Sequence, residues 1–256
     1  MHDQFYGGPG GFRPERYRQT YQSQPEGGPE STGRVTQLVS NAILQQEFPN
    51  IVVLRGSLEK RQVALTFDDG PDIRFTPQVL DVLGAYQAKA TFFLMGARAA
   101  EHTSIVERIH AESHAIGNHT YWHPNLVEES LGRVRWEVTS TEEVIEQILG
   151  FRPRLFRPPY GALNREIVRL LGDMGNSVIL WNVDSLDWTQ PGAEVIANNV
   201  LSNTLPGSII LMHDGGHWTM DLSGTVNALH LIIPQLQQQG IQFVTVPELI
   251  GVSEAK

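Results

Sequence analysis

The sequence predicts an α/β fold, and within that class a distorted, TIM-like (β/α) barrel with about seven βα units. From about residue 60 onward, short apolar runs typical of buried strands alternate with longer stretches typical of helices. Notable polar residues come just after several of these apolar runs. Since the carboxyl ends of the strands meet on one face of such a barrel, these residues can form one site. The number of repeats favours a barrel over an open doubly wound sheet, but the pattern alone does not establish closure.

The first part of the chain differs from the rest in composition. Residues 1–33 are rich in Gly, Pro and Gln and have neither strand nor helix periodicity. Such a segment cannot bury enough apolar surface to offset its chain entropy, so we expect a flexible tail. Residues 34–58 are predicted to lead into the main domain, 59–256, through a helix over 35–48 and a short strand over 51–56. The side of this helix expected to be buried carries Val35, Leu38, Val39, Ile43 and Leu44.

The main domain contains seven candidate strands with candidate helices between them. The strand candidates are, in order, QVALTF, ATFFLM, HAIGNH, RLFRPP, SVILWNV, SIILMHD and QFVTV. The helix candidates are TPQVLDVLGAYQ, EHTSIVERIHAES, NLVEESLGRVRWEVTSTEEVIEQILG, NREIVRLLGDMG, AEVIANNVLSN and TVNALHLIIPQLQQQG. This order of elements is the one expected of βα units around a mainly parallel sheet.

Composition and charge exclude several classes of function. A net charge of −9, with 19 Lys and Arg spread along the chain, argues against a nucleic-acid partner or an anionic membrane surface. No apolar run approaches the roughly 18 residues that suggest a membrane span, and the N-terminus lacks the apolar region of a signal peptide. With no cysteine in the chain, any metal must be held by His, Asp and Glu. The sequence does not indicate an oligomeric state.

The stretch ALTFDDGPD, at 64–72, places two carboxylates where a buried strand meets a turn. Neighbouring like charges repel, and burial makes each harder to ionise, so Asp68 and Asp69 require a compensating cation or another partner. Adjacent residues of an extended chain point to opposite sides. One carboxylate can therefore bind a metal while the other faces its water as a general base.

The stretch NHTYWHP supplies such a partner, because its two histidines are four residues apart. One helical turn would place the imidazoles of His119 and His123 on the same side, within reach of a single ion. Two imidazoles and one carboxylate suit a catalytic divalent metal, with Zn²⁺ as our first expectation and Co²⁺, Ni²⁺ or Mn²⁺ as alternatives. Such a cation lowers the pKa of a bound water and polarises a carbonyl. Each motif alone is a weak signal, and plain turn chemistry with two structural histidines stays open as the alternative.

Five short motifs occur in a fixed order along the chain. They are TFDDGP at 66–71, HTYWH at 119–123, RPPYG at 157–161, DSLDW at 184–188 and LMH at 211–213. In this order they resemble the motifs of the polysaccharide deacetylase family, also called the NodB homology domain or carbohydrate esterase family four. The resemblance covers about residues 60–250, so 59–256 is expected to be the catalytic domain.

The resemblance implies a metal centre and a base. Asp69, His119 and His123 would hold the metal, and Asp68 would be the general base. These assignments agree with the interpretation of one carboxylate and two imidazoles as metal ligands and of the other carboxylate as the base.

The resemblance also implies roles for residues of the later motifs. Arg157 would orient a catalytic carboxylate and keep it ionised, and Tyr160 would offer its backbone N–H to the developing oxyanion. His213 would be the general acid, and Asp184 would raise the pKa of its imidazole so that it starts protonated. Asp187 could cap the turn that follows it. On the residues alone, a surface arginine, a packed tyrosine ring and a structural histidine stay open as alternatives.

The expected substrate contacts are Pro158, Trp188, Leu211, Trp122 and Trp218. Trp188 and Leu211 would wall an apolar pocket for the acetyl methyl group, or else belong to the core. The loop after the last motif is extended and carries Trp218, which departs from the family pattern. Aromatic rings near a polar cleft often stack on sugar faces, which favours Trp122 and Trp218, whereas packing within the loops is the alternative.

The expected function is the removal of N-acetyl groups from N-acetylglucosamine in peptidoglycan or a chitin-like oligosaccharide, with release of acetate. The alternatives are O-deacetylation of acetylxylan, a catalytically silent glycan-binding module, and hydrolysis of a non-sugar amide. A glycan substrate of this kind favours an extracellular or cell-wall-associated protein whose leader is absent from this chain, with a cytoplasmic origin as the alternative.

Overall fold

The computed structural model describes residues 39–256, and their centre is a curled parallel sheet of eight strands. In space the strands are ordered β1-β6-β5-β4-β3-β2-β8-β7, and every neighbouring pair is parallel. Their bounds are β1 Val52–Val53, β2 Gln62–Asp68, β3 Ala90–Leu94, β4 Ala115–Asn118, β5 Leu155–Phe156, β6 Ser177–Ile179, β7 Val183–Asp184 and β8 Ile209–His213. A further strand, β9 (Gln242–Phe243), pairs with the start of β2. The predicted α/β fold and distorted barrel are confirmed.

Helices occupy the connections between the strands. They are α1 Asn41–Glu47, α2 Thr76–Ala85, α3 Gly96–Glu101, α4 Thr103–Ala111, α5 Leu131–Leu149, α6 Arg165–Asp173, α7 Ala193–Leu201, α8 Ser223–Gln238 and α9 Val246–Ile250. Single 3₁₀ turns lie at Leu126–Glu128, Pro159–Gly161 and Asp187–Thr189. No helix within 39–256 is long and apolar enough to cross a membrane.

Strand β2 shows how the barrel places its site. All of its residues after Gln62 are buried, which is usual for a parallel strand covered on both faces. Val63, Leu65 and Phe67 belong to the core shared with helices α2, α7 and α8, whereas Ala64 belongs to an inner core formed by strand residues and α9. Because side chains alternate along a strand, Asp68 lies on the same side as Ala64, at the carboxyl end of the barrel interior.

The barrel is open along one side. The sheet begins at β1 and ends at β7, and within the described chain no ladder joins these two strands. The question of closure, which the sequence left undecided, is thereby answered. The predicted strand over 177–183 forms two short strands in different parts of the sheet, since β6 pairs with β5 and β1 while β7 pairs with β8.

The segment that leads into the domain is part of the sheet. Strand β1 pairs with β6, and Leu44 of α1 is completely buried. The predicted helix over 35–48 is observed only from Asn41, because its first residues and the tail at 1–33 lie outside the described residues. Ile43 is 44% exposed, so the prediction that it lies on the buried side was wrong.

Two short helices were not expected. Helix α3 directly follows β3, and α9 replaces the end of the predicted strand QFVTV. The second of these carries a sequence signal, because Thr245 and Glu248 form a reciprocal capping box and Pro247 stands in the first turn. The helix start was therefore readable in TVPE, although the β-branched residues around it favoured a strand.

Candidate active site

The base and the acid predicted from the motifs lie side by side on neighbouring strands. Asp68 ends β2 and His213 ends β8, and the two residues are direct partners in the parallel register. Both are 3% exposed. Since adjacent strands are roughly 5 Å apart, the two side chains open into the same end of the barrel.

Arg157, just after β5, is completely buried and holds Asp68 from inside the barrel. Its Nη1 donates to Asp68 Oδ1 at 2.7 Å and to Thr66 Oγ1 at 2.7 Å. The guanidinium lies over the Phe93 ring at 4.1 Å, and its Nε donates to the carbonyl oxygen of Ile179 at 3.1 Å. The expected arginine–carboxylate contact is therefore present, and it leaves Asp68 Oδ2 directed elsewhere.

Asp69 turns away from Asp68 because the chain kinks. Its φ of 70° is left-handed, so the prediction that an extended chain separates the two carboxylates was wrong in its mechanism. Asp69 Oδ1 lies 3.1 Å from His123 Nε2 and 3.3 Å from His119 Nε2. The three residues that the sequence predicts as metal ligands are thus together.

The two histidines meet without a helix. Residues 119–123 form an irregular loop in which Thr120 and His123 have φ values of 67° and 60°, so the predicted helical turn was wrong. Asn118 Oδ1 accepts from the Thr120 N–H at 2.8 Å, and Thr120 Oγ1 accepts from the His123 N–H at 3.0 Å. These local bonds fold the loop back on itself and bring the two imidazole rings to 4.9 Å between centroids.

The donor set fits a divalent cation. Asp69, His119 and His123 each offer one ligand atom, and these atoms lie within 4.8 Å of one another. Neither carboxylate oxygen of Asp69 accepts a hydrogen bond from any residue of the described chain, although both are buried. His119 Nδ1 contacts the Arg157 carbonyl at 2.8 Å, so this nitrogen carries the proton and Nε2 presents its lone pair. A positive charge between these buried oxygen and nitrogen atoms would satisfy them.

His213 is paired with Asp187, and the prediction that Asp184 is its partner was wrong. Asp187 Oδ1 lies 2.8 Å from His213 Nδ1, and Asp187 Oδ2 accepts from the His213 backbone N–H at 2.8 Å. Thr225 Oγ1 donates to the same Oδ2 at 2.9 Å. Burial lowers the pKa of His213, but the attraction and the hydrogen bond of Asp187 outweigh it, and the pKa rises to about 10. The imidazole is therefore protonated at neutral pH.

Asp184 has a different place in the same motif. Its Oδ1 accepts from the Leu186 N–H at 2.9 Å, so it shapes the turn that leads to Asp187. Leu186 itself has a φ of 56°. This left-handed residue reverses the chain and carries Asp187, rather than Asp184, under the imidazole of His213.

Tyr160 lies next to the proposed ligands. It has a φ of 60° within the turn Pro159–Gly161, and its ring meets the His123 ring edge-on at 4.7 Å between centroids. The RPPYG motif thus contributes Arg157 to the barrel interior and Tyr160 to the rim beside His123.

The predicted substrate contacts differ in exposure. Leu211 is 1% exposed on β8, Pro158 is buried, and Trp188 is half-buried. Trp122 is 8% exposed and packs edge-on against Tyr121, which agrees with the alternative of packing within the loop rather than with a sugar contact. Trp218 is 77% exposed and stands at the tip of the loop after β8.

Two acidic residues that the motif analysis did not single out also hold the site. Asp72 anchors Arg74, which donates to the carbonyl oxygens of Trp218 at 2.8 Å and Met220 at 3.1 Å. Residues 119–123 are called the histidine loop below. Glu137, on α5, accepts from the backbone N–H groups of Tyr121 and Trp122 in this loop. A sequence signal existed for Glu137, because it falls on the apolar stripe of an amphipathic helix, where an unpaired charge is costly.

The fold and the site together define a barrel hydrolase in which acidic, imidazole and guanidinium groups meet at the carboxyl ends of the strands. The family model for polysaccharide deacetylase matches residues 55–179. A peptidoglycan-N-acetylglucosamine deacetylase of Bacillus cereus is 44% identical over 203 residues, which is 78% of this chain and 72% of that protein. A chitooligosaccharide deacetylase of Azorhizobium caulinodans is 38% identical over 196 residues, covering 72% of this chain and 92% of that protein.

A solved structure is similar to this chain in both fold and sequence. It is the Bc1960 peptidoglycan N-acetylglucosamine deacetylase in complex with 4-naphthalen-1-yl-N-oxidanyl-benzamide, with a TM-score of 0.76 and 43% identity, covering 79% of this chain and 94% of that one. The chain belongs to the polysaccharide deacetylase family, and its activity is that of a polysaccharide N-deacetylase.

Proposed function

We propose that the protein is a metal-dependent deacetylase that removes acetyl groups from N-acetylglucosamine residues of peptidoglycan. The observation that carries this proposal is the convergence of Asp69, His119 and His123 beside the separately held Asp68. The relatives named for peptidoglycan and chitooligosaccharide support an N-acetylated glycan as the substrate class. The solved relative is in complex with an N-hydroxy amide, a class of compound that chelates metals, which supports a metal-dependent activity.

Asp69, His119 and His123 are the proposed ligands of the metal. With two imidazoles, one carboxylate and no cysteine available, Zn²⁺ is the proposed ion, and Co²⁺, Ni²⁺ and Mn²⁺ are the alternatives to test. When bound, the cation supplies Lewis-acid polarisation of the acetamide and lowers the pKa of water.

The remaining groups divide the proton transfers of amide hydrolysis. Asp68, held by Arg157, takes the proton of the attacking water through the carboxylate oxygen that Arg157 does not hold. Tyr160 is proposed to direct its backbone N–H at the developing oxyanion. His213, protonated through Asp187, delivers a proton to the departing amine nitrogen, so that acetate and a free amine leave.

The proposed substrate also indicates where the protein works. Peptidoglycan lies outside the cytoplasmic membrane, so we propose that the protein works outside the cell or in the cell wall.

Leu211 and Trp188 are proposed to bound the space for the acetyl methyl group together with Pro158, and Trp218 is proposed to contact a sugar face.

The test is release of acetate from peptidoglycan, chitooligosaccharides and acetylxylan, each measured after chelation and after restoration with Zn²⁺. We expect release from the N-acetylated glycans, loss on chelation and recovery with zinc. Activity on acetylxylan alone would replace the proposal by an O-acetyl esterase. Glycan binding without acetate release in zinc-loaded protein would indicate a catalytically silent module.

A further inference from the structure

Helix α5 contacts the histidine loop, 119–123, through the Trp136 ring, which meets the Tyr121 ring edge-on, and through a buried carboxylate that binds the loop backbone. Glu137 is completely buried, and its Oε2 accepts from the backbone N–H of Tyr121 at 2.8 Å and from that of Trp122 at 2.8 Å. These two amides lie between His119 and His123. Arg133, one turn earlier on the helix, places Nη2 2.6 Å from Glu137 Oε1 and fixes the carboxylate from behind.

The loop that Glu137 holds is one that would not keep its shape unaided. Thr120 and His123 both have left-handed φ angles, which β-branched and bulky residues adopt only where surrounding contacts enforce them. The start of α3 binds the other edge of the loop, because Gly96 N donates to the Thr120 carbonyl at 2.9 Å and Ala97 N donates to the Tyr121 carbonyl at 3.1 Å. Within the described chain, Glu137 is the side chain that binds the amides on the opposite edge.

A purely structural role explains this carboxylate poorly. Taking a charge out of water is costly, and replacing a buried ion pair by well-packed apolar residues is often neutral or stabilising. Glu142, on the same helix, is also buried and paired, but its partners are Lys256 and Arg152, away from the histidine loop. Unlike Glu142, Glu137 binds the backbone between two proposed metal ligands.

We propose that Glu137 is a positioning residue that holds the backbone of 121–122 so that His119 and His123 present their Nε2 atoms to the same point as Asp69. The inference rests on the proposed metal site, but it concerns a residue that no motif of that site contains. Groups that support metal ligands in this way contribute typically 10- to 100-fold to metal affinity.

The test compares Glu137→Gln with Glu142→Gln as the matched control. Each variant removes one buried charge from α5 and leaves an amide of nearly the same size. For each we would measure the Zn²⁺ dissociation constant by chelator competition, together with the melting temperature of the metal-free protein. We expect Zn²⁺ affinity to fall about tenfold or more in Glu137→Gln and to stay within about twofold of wild type in Glu142→Gln.

Hydrogen exchange of the Tyr121 and Trp122 amides supplies a second readout that involves neither activity nor metal. Both amides should be protected in wild type and in Glu142→Gln, and should exchange faster in Glu137→Gln. If Glu137→Gln does not fold, Arg133→Gln replaces it. That variant keeps the Glu137 carboxylate and removes its ion pair with Arg133, so we expect a smaller loss of Zn²⁺ affinity.

Two results separate the inference from the proposed function. Wild-type protein that binds no divalent metal would overturn the metal site itself. Wild type that binds Zn²⁺ tightly, with unchanged affinity and unchanged exchange at Tyr121 and Trp122 in the Glu137 variant, would overturn the positioning role alone. Equal losses of affinity in the Glu137 and Glu142 variants would also overturn it, because they would indicate a general effect of destabilising the helix.

Discussion

Asp68 and Asp69 are neighbours in sequence, but each has its own set of partners. Asp68 closes a regular strand and receives a guanidinium from Arg157, whereas Asp69 is rotated by its left-handed backbone toward two imidazoles. The repulsion between the two carboxylates is thereby reduced on both sides, by a fixed cation for one and by the proposed metal for the other. We therefore expect a substitution of Asp68 to remove the base and a substitution of Asp69 to remove a metal ligand.

Replacing Asp68 by Asn removes the proposed base and leaves the ligand set intact. We expect Zn²⁺ to bind nearly as in wild type, while kcat for deacetylation falls on the order of 10²- to 10⁴-fold. The comparison variant is His119→Gln, which should lose the metal. Metal titration by calorimetry, with near-ultraviolet circular dichroism to confirm folding, checks both. Loss of zinc from the Asp68 variant would contradict the separation of base from ligand.

Replacing Asp187 by Asn tests the pairing of His213. Asp187 raises the pKa of His213, so its loss lowers that pKa, and the protonated acid disappears at a lower pH. An asparagine can also donate to Nδ1 and stabilise the wrong tautomer. We expect the alkaline limb of the pH–rate profile to move to lower pH and kcat to fall about 100-fold or more.

Asp184→Asn is the control for that experiment. It lies three residues before Asp187 in the same motif, but its carboxylate accepts from the Leu186 N–H rather than from the imidazole. Its pH–rate profile should keep its alkaline limb. A larger shift in the Asp184 variant than in the Asp187 variant would restore the pairing expected from the sequence.

The DSLDW motif shows what sequence can and cannot predict at this scale. The resemblance implied Asp184 as the partner of His213 and left Asp187 to cap a turn, whereas Asp187 is the partner. The choice between them depends on the left-handed Leu186, and leucine carries no signal for a positive φ. The same limit applies at Asp69, Thr120 and His123, where the sequence predicted the residues that meet but not the backbone that brings them together.

At the scale of elements, the loop after β8 is fixed to the rest of the site by arginines. Arg74, held by Asp72, donates to carbonyl oxygens of this loop, and Arg98 donates to the Gly216 carbonyl. The Asp221 N–H donates to Gln190 Oε1 at 2.9 Å, which ties the far end of the loop to the segment after Asp187. A loop bound at three places presents Trp218 in a defined position despite its exposure.

Replacing Trp218 by Ala tests whether that position serves the glycan. We expect KM for long oligosaccharides to rise about 2- to 10-fold, equivalent to the roughly 0.5–1.5 kcal/mol of a specific aromatic contact, with kcat unchanged. Arg74→Ala should give the same effect through the loop. Leu205→Ala, at an exposed apolar residue before β8, is the control and should leave KM unchanged. An unchanged KM in the Trp218 variant would exclude it as a substrate contact.

Elements were predicted with uneven success for a physical reason. The long helices α5 and α8 carry many periods of apolar residues, so their existence was evident in the sequence. Strand β5 has only two residues, and its neighbours in the predicted run RLFRPP supply Arg157 and the turn of Tyr160 instead. Short strands whose ends carry functional residues give too few alternations to mark their bounds.

At the scale of the whole molecule, the sheet includes a strand from outside the region that resembles the family. Strand β1 pairs with β6 at the open side of the barrel, and the tip of the Ile51 side chain lies so close to Gly172 of α6 that a larger residue at 172 would displace it. The sequence separated 34–58 from 59–256 because the motifs begin with β2. Contacts between distant segments, which decide where a domain ends, leave no local pattern in either segment.

Leu44→Ala tests whether residues 39–58 belong to the same folding unit as the catalytic barrel. Leu44 is fully buried in a cluster with Val52, Ile167 and Leu171, so its truncation leaves a cavity within that cluster. If the segment is integral, the variant should lose about 2–5 kcal/mol of unfolding free energy in a single transition, with Ile43→Ala, at an exposed neighbour, as the control. Denaturant unfolding followed by tryptophan fluorescence and by loss of deacetylase activity measures both variants. If the segment were only an appended lead-in, activity would be lost at the same denaturant concentration in wild type and in the Leu44 variant, because the barrel would unfold independently of it.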